Sequence, residues 1–76
     1  MVYMKNIKQL GSFVSFDAYI NGDENRHFTM TVDLNDSSRS EASIDKCYHT
    51  SEALVKIFLT YAEKSSFPTE LVAMSH

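Results

Sequence analysis

"SFVSFDAYINGDENRHFTMTVDL", residues 12–34, is the stretch from which the fold can be read. Its first half alternates: Val14, Phe16, Ala18 and Ile20 share one face, Ser15, Asp17 and Tyr19 the other. Its second half sets Phe28, Met30, Val32 and Leu34 against His27, Thr29, Thr31 and Asp33. Period-two alternation marks a half-buried strand, so the stretch predicts a β-hairpin with one face on a core. Asn21-Gly22 suits a two-residue turn. That turn would pair Ile20 with Asp23 and set Phe16 against His27, mixing apolar with polar faces. Such a register is costly when one face is buried. With residues 21–25 in the loop, Ala18 meets Phe28, Phe16 meets Met30 and Val14 meets Val32. The pattern therefore predicts a three- or five-residue loop, or a bulge.

Downstream, "NDSSRSE" (35–41) reads as a polar loop and "ASIDKCYH" (42–49) as a third, edge strand. Ile44 and Tyr48 share a face with Lys46 there, and an inward lysine blunts an edge. "TSEALVKIFLTYAEKSS" (50–66) reads as the main helix. Thr50 or Ser51 can cap it, and Glu52 in the first turn favours the dipole. Leu54, Ile57, Phe58, Tyr61 and Ala62 form its apolar stripe, and Val55 and Leu59 widen it. "FPTELVAM" (67–74) fits a short second helix with Pro68 in its first turn, or a closing strand.

Upstream, "MKNIKQLG" (4–11) with its approach spaces Tyr3 or Met4, Ile7 and Leu10 like a helix, with Gly11 as its C-terminal stop. Eight residues fit an extended segment nearly as well, and Met4 offers an alternative start. The expectation is one α+β domain over residues 1–76: a three-stranded antiparallel sheet, made of the β-hairpin plus an edge strand. One main C-terminal helix packs on it, with short helices at both termini.

The totals bound what this object does. A chain of 76 residues buries only about 60–65% of its unfolded surface, so its stability is marginal. One cysteine excludes an internal disulfide and suits a reducing compartment. The start "MVYMKNIKQLG" lacks a signal-peptide core, and the longest apolar run, "ALVKIFLTYA", is half the length of a membrane span. A cytoplasmic protein without membrane contact is expected. Net charge is −3, and residues 13–49 hold seven acids against three bases. Acidity of this kind disfavours phosphate backbones. The order α-β-β-β-α resembles that of double-stranded-RNA-binding domains. Those domains carry lysines at the last helix start and the first hairpin, where "HTSEALVK" and "NGDEN" are neutral or acidic. Nucleic acid is therefore not an expected partner.

Chemistry-bearing residues are few. "DKCYHTSE" (45–52) sets Asp45, Cys47 and His49 two apart, and an extended strand would point them to one side, with His27 as a further zinc ligand. No CxxC or HxxxH spacing accompanies them, and strand end plus helix cap explains the same residues. Cys47 with His49 makes a poor nucleophile pair, since strand neighbours at i and i+2 seldom meet. Two glycines, Gly11 and Gly22, build no phosphate loop. No catalytic residue, cofactor or metal is expected. The reading is a small non-enzymatic regulator or inhibitor, comparable in size and charge to bacterial and phage accessory proteins. It binds a partner protein with a basic surface through an acidic sheet face or hairpin: Asp17, Tyr19, Asp23, Glu24, His27 and Asp33. Val55, Phe58 and Leu59 are the candidates for self-association into a homodimer. The alternatives are a nucleic-acid-binding module and a metal or thiol protein centred on Cys47 and His49.

Overall fold

The structure, a computed structural model, describes residues 1–74. The elements run β1 (Val2–Leu10), β2 (Phe13–Ile20), β3 (His27–Asp33), β4 (Glu41–Ala42), α1 (Tyr48–Lys64) and β5 (Leu71–Ala73), with a 3-10 turn at Ser37–Arg39. The α+β class holds. The three-stranded sheet and the terminal helices do not: the strands form one five-stranded antiparallel sheet, ordered β4-β3-β2-β1-β5. The helix α1, the one α-helix among the described residues, packs on one face. Val2, Met4, Val14, Phe16, Ala18, Phe28, Met30 and Val32 from the sheet meet Ala53 and Ile57 of the helix in the core.

The hairpin has the register the alternation requires: Val14 pairs with Val32, Phe16 with Met30, Ala18 with Phe28 and Tyr19 with His27. The Ile20 N–H donates to the Arg26 carbonyl, which leaves five residues in the loop. Asn21 and Gly22 both take positive φ there, 54° and 76°.

The N-terminal segment is a strand because of one residue. Lys5 pairs with Asp17 and Lys8 with Ser15, so β1 carries one residue more than β2 across this step. Asn6 absorbs it with a φ of 56°. A bulge of this kind shifts side-chain parity by one. Met4 and Ile7, three apart, are therefore both buried on the core face of a strand, which is the spacing a helix would give. Gly11 closes the tight turn between Leu10 and Phe13 rather than ending a helix; its φ is 62°. The C-terminal segment is also a strand, pairing Val2 with Ala73, Tyr3 with Val72 and Met4 with Leu71.

The third strand shrinks to Glu41–Ala42, residues 43–47 form a connection, and α1 begins earlier than Thr50. The Cys47 N–H donates to the Thr50 hydroxyl (2.9 Å), which in turn donates to the Cys47 carbonyl (2.9 Å). That reciprocal lock makes Cys47 the N-cap and draws Tyr48 and His49 into the helix. At the other end Ser65 adopts φ 57° and its N–H donates to the Tyr61 carbonyl. The buried side of α1 is Thr50, Ala53, Ile57 and Thr60, flanked by half-buried Leu54 and Phe58. Tyr61 and Ala62, expected in the apolar stripe, are exposed, and Tyr61 stacks on Phe67 with centroids 6.1 Å apart. No helix among the described residues is long and apolar enough to cross a membrane.

Candidate functional site

With α1 on one side, the other face of the sheet has no covering layer among the described residues. Strand pairing arranges its side chains in rows. Val72 of β5 is beside Tyr3 of β1, Tyr3 beside Tyr19 of β2, and Tyr19 beside His27 of β3. Strands are about 4.8 Å apart, so this row runs about 14 Å across four strands. The next row holds Lys5, Asp17 and Thr29, and the one after it Lys8, Ser15, Thr31 and Glu41.

The centre of this face is held by mutual contacts. The Tyr19 and His27 rings are 4.9 Å apart at 31°, and Lys5 Nζ is 5.7 Å from the Tyr19 centroid. Asn6 Nδ2 donates to Asp17 Oδ2 at 2.8 Å, and His27 Nε2 is 3.4 Å from Asp17 Oδ1. The Asn6 hydrogen bond holds the Asp17 carboxyl below its ordinary value; partial burial opposes it, and His27 and Lys8 add to the lowering. Tyr3 lies over the hairpin loop, where a Cβ on Gly22 would come within 3.2 Å of its ring. Glycine at 22 thus serves both the positive φ and the seat of Tyr3.

Of the six partner-binding candidates, the structure gathers Asp17, Tyr19 and His27 on this face. Asp23 and Glu24 are exposed in the loop at the end of the same hairpin. Asp33 lies apart and is only 3% exposed. Its carboxylate accepts from the Asn35 N–H at 2.9 Å and lies 3.8 Å from Arg39 Nε, so it is spent on the β3–β4 connection. Asp45 lies in the loop before α1, exposed and off the sheet. Sequence reasoning missed Tyr3, Lys5, Asn6 and Lys8, which a helical β1 would have removed from the face. Their signal was the alternation of Val2 and Met4 with Tyr3 and Lys5. With Lys5 and Lys8 beside Asp17 and Glu41, the face is mixed in charge, and the negative field is confined to the loop.

Cys47 is exposed, and its backbone caps the helix while His49 lies within the first turn. Among the described residues no group of three or more His, Cys, Asp or Glu side chains converges as metal ligands would.

On the helix side, a groove of about 300 Å³ runs between α1 and β5, lined by Tyr48, Glu52, Val55, Leu59, Ala73 and Met74 among others. The Glu52 side chain is 6% exposed, with the Met1 ammonium 3.3 Å from one carboxylate oxygen. The pair is within ion-pair distance but out of hydrogen-bond alignment. Val55 and Leu59 are 56% and 58% exposed; Phe58, the third self-association candidate, turns toward the core.

No protein-family model matches this chain, and neither a curated protein nor a solved structure matches it.

Proposed function

We propose that this chain is a small non-enzymatic binding protein that docks on another protein through its open sheet face. The observation that carries this reading is the row Val72, Tyr3, Tyr19 and His27, held by Lys5, Asp17 and Asn6 on the sheet face that no other described element covers. Tyrosines offer large contact area with few rotors, and protein interfaces are enriched in them. Here they are also fixed before binding, which lowers the entropy cost of association. Asp23 and Glu24 beside the row favour a partner that is basic where it meets the hairpin loop. Regulation or inhibition of a larger machine in the cytoplasm is the role such a domain fits, and a lone exposed thiol at Cys47 suits that compartment.

A second reading rests on a specific observation. Tyr3 and Tyr19 with Lys5 and Lys8 make a small stacking platform with cations at its edge, a combination that holds single-stranded nucleic acid. The chain's charge of −3 weighs against it.

The two readings separate in one set of experiments. Wild type and a Tyr3→Ser/Tyr19→Ser variant are used to capture partners from lysate, with nuclease-treated lysate in parallel. A protein retained by the wild type after nuclease and lost by the variant supports the first reading. Direct binding of single-stranded oligonucleotide at physiological salt, with a steep salt slope, supports the second. Equal capture by wild type and variant removes the sheet face from both.

A further inference from the structure

The helix carries its polarity partly reversed. Thr50 and Thr60 are buried against the sheet, and Thr60 spends its hydroxyl on the Lys56 carbonyl at 2.8 Å. Meanwhile Tyr48, Val55, Leu59 and Ala62 are on the outer side, all exposed. Their spacing is seven, four and three residues, which keeps one straight stripe on an α-helix. This is the spacing with which one helix packs along another. Among the described residues β1 and β5 are paired in the sheet, and no further segment lies over the stripe.

The flank of the stripe says what covers it. Lys56 and Glu63 lie on the same side of the stripe, seven residues apart and opposite in charge. When two copies of such a helix meet antiparallel across a twofold axis, like flanks face each other and the residue numbers of facing pairs sum to a constant. With Leu59 on the axis, Leu59 meets its own copy, Val55 meets the partner's Ala62, and Lys56 meets the partner's Glu63. These three pairings require the same register to within one residue, and the ion pair occurs twice. A charge pattern that complements itself in the register that also matches the apolar residues points to an identical helix. In this register helix residues 54–64 of the two copies face each other, so the helical contact is about 16 Å long.

We infer that the outer face of α1 is a homodimer interface, formed by an antiparallel α1–α1 pair centred on Leu59 with reciprocal Lys56–Glu63 contacts. It leaves the open sheet face of each copy free, so the dimer presents two docking surfaces. Val55 and Leu59 are among the residues expected to drive self-association; Phe58 has no part in it.

The test is sedimentation equilibrium of the full chain from about 1 to about 300 µM, the range in which interfaces at the small end of the size scale associate. The expected result is a monomer–dimer equilibrium. Leu59→Glu, at a position 58% exposed, should abolish it while circular dichroism stays that of the wild type. Lys56→Glu alone and Glu63→Lys alone should each weaken it roughly ten-fold, because each change turns two attractive contacts repulsive. An equimolar mixture of those two variants should recover the dimer, since their charges complement each other. A clean monomer across the whole range overturns the inference, as does a dimer that survives Leu59→Glu. A mixture that fails to recover overturns the antiparallel register.

Discussion

Replacing Asn6 tests the feature on which the five-stranded sheet depends. Asn6 has a φ of 56° in the bulge of β1 and donates to Asp17 at 2.8 Å. Left-handed backbone costs an ordinary L-residue about 1–2 kcal/mol, and asparagine tolerates it better than most. Asn6→Ala therefore gives up about 1 kcal/mol in backbone conformation. It also loses the hydrogen bond, worth about 0.5–1 kcal/mol at a site that solvent reaches. The sum is about 1.5–2 kcal/mol, against a total stability of about 4–11 kcal/mol for a chain of this length. Asn6→Gly loses the hydrogen bond but not the conformation, so it should cost about 1 kcal/mol or less. The bulge thus predicts the order wild type, Gly variant, Ala variant, from most to least stable. A helix over residues 4–10 predicts another order, because alanine is the best helix former and glycine is about 1 kcal/mol worse. Urea unfolding of the three proteins at neutral pH decides between them. An Ala variant as stable as the wild type, or more so, would refute the bulge and with it the placing of Tyr3 and Lys5 on the open face. The acid limb supplies a second reading of the same contact. Asp17 is held below its ordinary value of 3.8 in the folded protein, chiefly by Asn6. A depressed folded pKa contributes stability that is complete above the unfolded pKa and is lost as pH falls through the folded one. Both variants should therefore lose less stability than the wild type on going from neutral pH to below 3.8.

Ile57→Ala, at a fully buried position where the helix meets the sheet, should cost about 2–5 kcal/mol by urea unfolding, a large part of the total. A loss under 1 kcal/mol would mean that α1 does not dock by this side. Gly22→Ala places a Cβ 3.2 Å from the Tyr3 ring at a φ of 76°, and should cost at least about 1 kcal/mol while shifting the Tyr3 ring resonances. Unchanged Tyr3 chemical shifts would contradict that contact. Val55→Lys with Leu59→Glu should leave monomer stability within about 0.5 kcal/mol, measured at low micromolar concentration. A loss above 1 kcal/mol would show that these side chains serve the monomer's own core.

The hairpin was legible because its two strands alternate without interruption and its loop had to be odd for the faces to match. The helix was legible for the same kind of reason, though its cap was misplaced and Tyr61 and Ala62 of its expected stripe are exposed. Thr50 looked like a cap and acts as one, but for Cys47 three residues earlier. The ends of the sheet were not legible from periodicity. One extra residue at Asn6 turned the strand spacing of Met4 and Ile7 into a helical one, and asparagine's tolerance of positive φ, with the short alternation over residues 2–5, was the local sign. Residues 67–74 were too few, and too close to Pro68, to tell a short helix from a closing strand. Only β1, once extended, gives them an edge to pair with. Three of the six candidate partner residues lie together because the hairpin was placed correctly. The face is not acidic because the misread strand is the one that brings its lysines.

Two groups of side chains remain that the monomer's own packing does not account for. Tyr3 and Tyr19 stand on a sheet face where any β-former would hold the strands, and Val55 and Leu59 stand on a helix face where lysine or glutamate would serve better. A small domain without a disulfide stands to lose by displaying apolar surface, since exposed patches favour aggregation. The groups lie on opposite sides of a two-layer molecule, so no single partner surface of ordinary size covers both. One side repeats a charge pattern that fits itself. The other mixes charges and carries an aromatic row that does not. Assigning the helix side to a second copy and the sheet side to a different molecule accounts for both displays with one contact each. It also predicts that substitutions on either side leave binding on the other intact.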